Sequence, residues 1–300
     1  MGLGHIPVLV EEVMSLLQCG PQKTYVDATL GGGGHALEIL ERTEPDGILI
    51  GLDWDEDAVA EAGKVLMPFG DRAKIVRENF VRLPEVLKSM RIEEVDGILL
   101  DLGLSSLQIE NRERGFSLKG EGPLDMRMDQ RLDRTAADLV NHLSPKELEE
   151  TLSEYGEERW AKRIARAIVE ERARTSIDTT QTLRRIVHRA IPRRFHSRKI
   201  DPATKTFQAF RIRLNEELEN LRQMLETGWR LLRKGGRMCV ISFHSLEDRI
   251  VKENFRRRER KSENGSALRV ITKKPVRPSE EERRRNPRSR SARLRCAERM

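Results

Sequence analysis

The residues able to do chemistry are concentrated in one short run and two isolated acids. Tyr25-Val26-Asp27-Ala28-Thr29-Leu30-Gly31-Gly32-Gly33-Gly34-His35 passes from a β-branched segment through four glycines into the helix-forming Ala36-Leu37-Glu38-Ile39-Leu40. Glycines at such a junction let the backbone turn sharply and let a ligand approach the peptide groups with no Cβ in the way. Asp53 closes a second apolar run, and Asp101 closes a fourth. In an open parallel α/β sheet, ligands bind outside the carboxyl ends of the strands, and an acid ending the second strand accepts both hydroxyls of a ribose. Glycine loop and Asp53 together therefore point to a nucleoside-bearing cofactor.

A dinucleotide would want a third glycine for close helix packing and a helix N-terminus open to pyrophosphate. This loop has His35 at that position and no basic residue nearby. A nucleoside cofactor without phosphates, S-adenosylmethionine, suits it better. Its adenosine would use Asp53 and an apolar slot flanked by Phe80, and its methionine ammonium would use carboxylates. Asp101 opens Asp101-Leu-Gly-Leu-Ser105-Ser106. A buried, unpartnered acid is costly, so a ligand role is favoured, either toward the cofactor ammonium or toward a substrate amine. Attack on a cytosine ring carbon would need an activated thiolate. Cys239 lies in an apolar strand, Cys19 precedes the Gly20-Pro21 turn, and Cys296 lies in a basic tail, so an exocyclic amine or a hydroxyl is the expected acceptor.

These groups need a sheet to hold them. Nearly pure apolar strands are expected from Tyr25 into the four glycines and at 47–52, 73–78, 96–101 and 237–243, the last entered by Lys234-Gly235-Gly236, with a sixth at 267–272. Helical patterns lie between them, as at 57–66 and 83–90. Such alternation predicts an α/β protein with a parallel sheet covered on both faces. The gap after the fourth strand is too long for one crossover. Its helical patterns at 135–141, 145–155, 158–173 and 180–190, the last broken by Ile191-Pro192, predict a helical domain inserted at 105–212. Residues 1–104 and 213–300 then form the main domain, re-entered by a helix over 215–232. Residues 275–300, rich in Pro, Arg, Asn and Ser, are expected to be a basic, irregular tail.

The 300 residues are 37% hydrophobic and 35% charged, with no apolar run long enough for a membrane helix and no signal-peptide pattern. Three scattered cysteines form no metal cluster, and a reduced cytoplasmic protein is expected. The net charge of +7 is unevenly spread: residues 159–213 hold 16 Lys/Arg against 4 Asp/Glu, and 255–300 hold 17 against 6. The rest of the chain is therefore strongly acidic. Two basic segments on an acidic body suit a polyanion such as RNA. Arg193, Arg194, Arg198 and Lys205 are the candidate phosphate contacts.

The motifs resemble one family nearly end to end, the bacterial 16S rRNA cytosine-N4 methyltransferases (RsmH, or MraW). The resemblance is carried by His5-Ile-Pro-Val-Leu9, Asp27-Ala-Thr-Leu-Gly-Gly-Gly-Gly-His35, Asp101-Leu-Gly-Leu-Ser-Ser-Leu-Gln108, Arg114-Gly-Phe-Ser117 and Asp125-Met-Arg-Met-Asp129. It continues through Tyr155-Gly-Glu-Glu-Arg159, Pro202-Ala-Thr-Lys-Thr-Phe-Gln-Ala209, Ser242-Phe-His-Ser-Leu-Glu-Asp248 and Asn286-Pro-Arg-Ser-Arg-Ser-Ala292. It implies a Rossmann-like class I methyltransferase with a helical insert, methylating the N4 of a cytidine in the decoding region of 16S rRNA. It also implies cofactor contacts at Gly33, Gly34, His35, Asp53, Phe80, Asp101 and Gln108. Two departures occur: Asp201-Pro-Ala-Thr-Lys205 stands where the family reads His-Pro-Ala-Thr-Arg, and Phe210 stands for a usual Leu.

On this reading Asp101 and the Ser105-Ser106 loop sit near the amine, with His244 a further catalytic candidate. The partner is 16S rRNA in the small ribosomal subunit, with no membrane. The state of assembly is open, a homodimer included. Two readings of other classes fit the same sheet: a nicotinamide-dependent oxidoreductase, and an RNA-binding assembly factor without activity. Intact Asp53 and Asp101 weigh against the second, and the basic segments against the first.

Overall fold

A computed structural model describes residues 7–197, 199–260 and 267–300. Arg198 and His5, both singled out above, lie outside the described residues. The chain runs α1 (Val10–Leu17), β1 (Thr24–Asp27), α2 (Gly34–Arg42), β2 (Ile48–Asp53), α3 (Glu56–Leu66), β3 (Ala73–Arg77), α4 (Leu83–Ser89) and β4 (Val95–Asp101). It continues through α5 (Ser106–Glu110), α6 (Ala136–His142), α7 (Pro145–Glu154), α8 (Ala161–Arg172), α9 (Thr180–Ala190) and α10 (Thr204–Leu214). It closes with α11 (Glu217–Thr227), β5 (Leu232–Ser242), α12 (Ser245–Glu259), β6 (Leu268–Val270), α13 (Glu280–Arg285) and β7 (Arg293–Arg299). Two compact units result: Met1–Ser105 with Leu218–Met300, and Ser106–Glu217.

The first unit is built on a seven-stranded sheet of order β3-β2-β1-β4-β5-β7-β6. The five strands from β3 to β5 are parallel; β7 runs antiparallel to both β5 and β6. Successive side chains of a strand point to opposite faces, and both faces here are covered. Val26, Ile50, Leu52, Ile98, Leu100 and Val240 pack with residues of α4, α11 and α12. Tyr25, Leu49, Leu99, Cys239 and Ile241 pack with residues of α1, α2 and α3. Two apolar layers explain why the strands read as continuous hydrophobic runs. The strand order reverses direction around β1 and β4, which makes the carboxyl ends of those strands the place for a ligand.

The tail departs from expectation. Residues 275–300 hold α13 and β7, and β7 lies inside the sheet between β5 and β6. Leu294 and Cys296 are wholly buried, facing Ile241 and Cys239 of β5. Arg293 and Arg295 alternate with them and bind Asp248 of α12, Arg295 Nε at 2.7 Å. The arginines thus disguise a two-residue alternation as a polar tail, and Cys296 is a core residue. Along the same edge of the sheet, Arg237 of β5 and Arg269 of β6 share Glu298 of β7, and Arg299 meets Glu94.

The second unit is helical. Its boundary at Glu217 lies beyond the expected residue 212, because α10 runs to Leu214. That helix lacks a clean apolar stripe, since Thr206, Phe207, Ala209, Phe210 and Ile212 are buried around much of its circumference. Without that sidedness the sequence carries no helical period at 204–214. The helix expected over 215–232 begins at Glu217, after Glu216 with φ of 52°, and ends at Thr227; a short 3-10 turn, Gly228–Leu231, then leads into β5 at Leu232.

Candidate active site

The site begins with the turn after β1. Gly31 and Gly33 have φ of 50° and 83°, and Gly33 caps α2. A side chain at Gly33 would be strained by this backbone and would meet the Ala62 Cα at 3.3 Å, so only glycine lets α2 start here against α3. Gly32 has open space where a Cβ would stand, so ligand atoms could reach its backbone. Asp53, at the end of β2, is tied to this loop. Its Oδ2 accepts the Gly31 amide at 2.8 Å and its Oδ1 accepts the Asp55 amide at 2.9 Å.

Two further acids end the neighbouring strands. Asp27, only 1% exposed, accepts the Thr29 amide at 3.2 Å. Asp101 donates its own amide to Thr29 Oγ1 at 2.6 Å, so Thr29 couples the loop to β4. Asp101 Oδ1 is buried and has no hydrogen-bond partner among the described residues. Its Oδ2 lies 3.5 Å from His35 Nδ1. The other ring nitrogen, Nε2, lies 2.9 Å from the Val8 carbonyl, which can only accept, so Nε2 carries a proton.

Burial governs the charge of this cluster. It lifts the Asp27 carboxyl to about 7, offset in part by the Thr29 amide and reinforced by the charge of Asp53. It lifts Asp53 to about 6 against the pull of the Asp55 and Gly31 amides. Asp101 is raised well above the ordinary carboxylate value, first by burial and then by the charges of Asp27 and Glu247. Carboxylates that raise one another favour a cationic guest and repel an anionic one. An S-adenosylmethionine, with its sulfonium and ammonium, fits that field. A pyrophosphate does not, and the Gly31 amide it would use already serves Asp53.

A scan against family models matches residues 2–300 to the MraW methylase family. The chain belongs to the MraW methylase family. The ribosomal RNA small subunit methyltransferase H of Syntrophus aciditrophicus is 50% identical over 99% of this chain and 98% of its own length. The protein of the same name from Syntrophobacter fumaroxidans is 48% identical over 99% of this chain and 97% of its own.

Against this family background, Gly33, Gly34, His35, Asp53 and Asp101 come together at the carboxyl ends of β1, β2 and β4. Phe80 follows β3 and packs, half-buried, against the core layer of α4. Ser105 ends the β4 segment of the first unit, whereas Ser106 and Gln108 are buried residues of α5 in the second. His244 is the N-cap of α12: its Nδ1 accepts the Glu247 amide at 3.4 Å, and Glu247 reaches back to the His244 amide at 3.2 Å. His244 Nε2 is 3.1 Å from Glu247 Oε1 but off the line of a hydrogen bond. The ring therefore has a local structural task. In the second unit Arg193 and Arg194 form an exposed turn, while Lys205 Nζ donates to the Glu157 carbonyl at 2.8 Å.

Three further residues of this cluster carry no sequence signal of their own for a role here. Asp27 and Thr29 stand inside the Asp27–His35 motif, which points to a cofactor as a whole and singles out neither of them. Glu247 is 2% exposed and acts on Asp101 through its charge. The signal for it was a capping box, an acid three residues after the cap.

Proposed function

We propose that this chain transfers a methyl group from S-adenosylmethionine to the exocyclic N4 amine of a cytidine in the decoding region of 16S rRNA. The observation that carries the reading is Asp101, which holds a buried carboxylate oxygen without a hydrogen-bond partner among the described residues, at the strand ends of a methylase-family chain. The name shared by the relatives supports ribosomal RNA of the small subunit as the substrate class.

S-adenosylmethionine supplies, when bound, a methyl group already activated by its sulfonium. The work of the chain is then mainly positioning. Asp53 and the Gly31–Gly34 loop hold the nucleoside end, and Phe80 flanks its base. Cytosine N4 is a poor nucleophile because its lone pair is delocalised into the ring. An acceptor on its N–H bonds turns the amine toward attack and takes the proton that must leave once the methyl is gained. Asp101 is the acceptor we assign, with Ser105 beside it in sequence. The target base must leave any stack to reach such a crevice. Among the described residues no helix is long and apolar enough to cross a membrane, and action in the cytoplasm fits a ribosomal substrate.

The substrate class is tested by incubating the protein with tritium-labelled S-adenosylmethionine and bacterial small-subunit particles or naked 16S rRNA. Label in 16S rRNA is expected. Label confined to ribosomal protein, or none from a folded protein that binds the cofactor, would contradict it.

A further inference from the structure

Two motifs of the second unit have no part in the chemistry above, Tyr155-Gly-Glu-Glu-Arg159 and Pro202–Ala209, and the fold brings them together. Lys205 Nζ donates to the Glu157 carbonyl at 2.8 Å and Gln208 Nε2 to the Tyr155 carbonyl at 3.2 Å. A Cβ on Gly156 would meet the Leu152 and Lys205 carbonyl oxygens at 2.6 and 2.8 Å. Buried Glu158 accepts the Trp160 amide at 2.9 Å. The turn between α7 and α8 is therefore locked, and what it presents is Arg159 and Trp160.

The turn Arg193–Phe195, after α9, meets them. The Trp160 and Phe195 rings lie 5.2 Å apart at 49°. The Arg159 guanidinium lies 4.7 Å from the centre of Phe195 and 5.3 Å from that of Trp160; that of Arg194 lies 4.9 Å from Phe195. Phe195 is nonetheless 40% exposed. Some arginines of this unit are neutralised: Arg184 by Asp201, Arg189 by Glu171, Arg211 by Glu217. Arg159 and Arg194 have no carboxylate partner among the described residues, and their contacts are the aromatic rings.

We infer that Arg159, Trp160, Arg194 and Phe195 form a stacking platform for an unpaired RNA base, with the two guanidiniums meeting its flanking phosphates. The inference rests on the reading of rRNA as substrate. Guanidinium planes and aromatic faces both stack on exposed bases, and the same guanidiniums donate to phosphate oxygens. A duplex offers its phosphates but keeps its base faces stacked. An acidic peptide would neutralise the charge and leave the rings idle. Only a single strand uses both halves of the cluster.

The test measures fluorescence anisotropy of the full chain with a labelled oligouridine and with an abasic strand of equal length and charge. The wild type should bind the base-bearing strand about 5–100-fold more tightly. Phe195→Leu, which keeps apolar volume, should abolish most of that preference while leaving abasic-strand affinity, its salt slope and S-adenosylmethionine affinity unchanged. Phe195→Trp should keep the preference. No base preference in the wild type, or a preference retained by Phe195→Leu, would overturn the platform. Tritium transfer to 16S rRNA by the same wild-type preparation keeps the two readings apart: methylation without the base preference sinks the platform alone, and absence of methylation sinks the substrate assignment.

Discussion

His35 Nδ1 faces Asp101 Oδ2 at 3.5 Å, while the opposite ring nitrogen donates to the Val8 carbonyl. A neutral ring with its proton on Nε2 would point a lone pair at a carboxylate. The contact is favourable when one proton resides on the pair, whether as imidazolium or as carboxylic acid. His35, in the first turn of α2, thus stands beside the acid at the end of β4. Asp101→Asn keeps the shape and removes the titration. Single-turnover methyl transfer at saturating cofactor and RNA should slow by at least about tenfold, or about 1.4 kcal/mol. A wild-type rate would remove the charge of Asp101 from the mechanism.

Asp53 has a different task. Its two oxygens already hold the Gly31 and Asp55 amides, so it both shapes the loop and offers lone pairs to a ribose. Asp53→Ala should weaken S-adenosylmethionine binding by about 1–3 kcal/mol in calorimetry, the cost of lost charge-assisted hydrogen bonds. Unchanged affinity in a folded variant would contradict the ribose role.

The pH dependence of stability has a definite sign. Asp27 titrates at about 7 in the folded chain against an ordinary 3.8. Between those values the folded state holds a proton that the unfolded state has lost, so this group's contribution to stability declines as pH rises from 3.8 toward 7 and is level above. Asp27→Asn cannot titrate, and Oδ1 can still accept from Thr29. In melts without cofactor, its Tm relative to wild type should be higher at about pH 8 than at about pH 5, by about 2–4 °C for each kcal/mol. A difference independent of pH would contradict a raised Asp27.

How much of this was legible turned on whether the signal was local. The glycine cluster between a strand and a helix, Asp53 and Asp101 could each be read from a few neighbours, because short apolar strands announce their ends. The interior strand β7 could not. Its buried Leu294 and Cys296 alternate with arginines whose partner, Asp248, lies 45 or more residues away in sequence. Glu247 was hidden likewise, since its effect on Asp101 needs β4 and β5 to be neighbours. The meeting of Trp160 with Phe195 depends on how α8 and α9 pack, and no periodicity encodes that.

The cysteines provide a check on the acceptor. Burial holds Cys19 up at about 12 and raises Cys239 well above the thiol range, so neither is an activated nucleophile. Cys239 faces Cys296 directly across β5 and β7. The triple change Cys19→Ser, Cys239→Ala, Cys296→Ala should retain methyl transfer and lose about 1–3 kcal/mol of stability, chiefly from the buried pair. Loss of transfer in a triple variant that still melts cooperatively would implicate a thiol.

The central claim concerns the atom that receives the methyl group. The most direct measurement is mass spectrometry of nucleosides from small-subunit rRNA, lacking the modification beforehand, after incubation with the protein and isotope-labelled S-adenosylmethionine. The account predicts labelled N4-methylcytidine, its appearance strongly slowed by Asp101→Asn. Labelled 5-methylcytidine, a ribose-methylated nucleoside, or no labelled cytidine from a folded protein that binds the cofactor would contradict it.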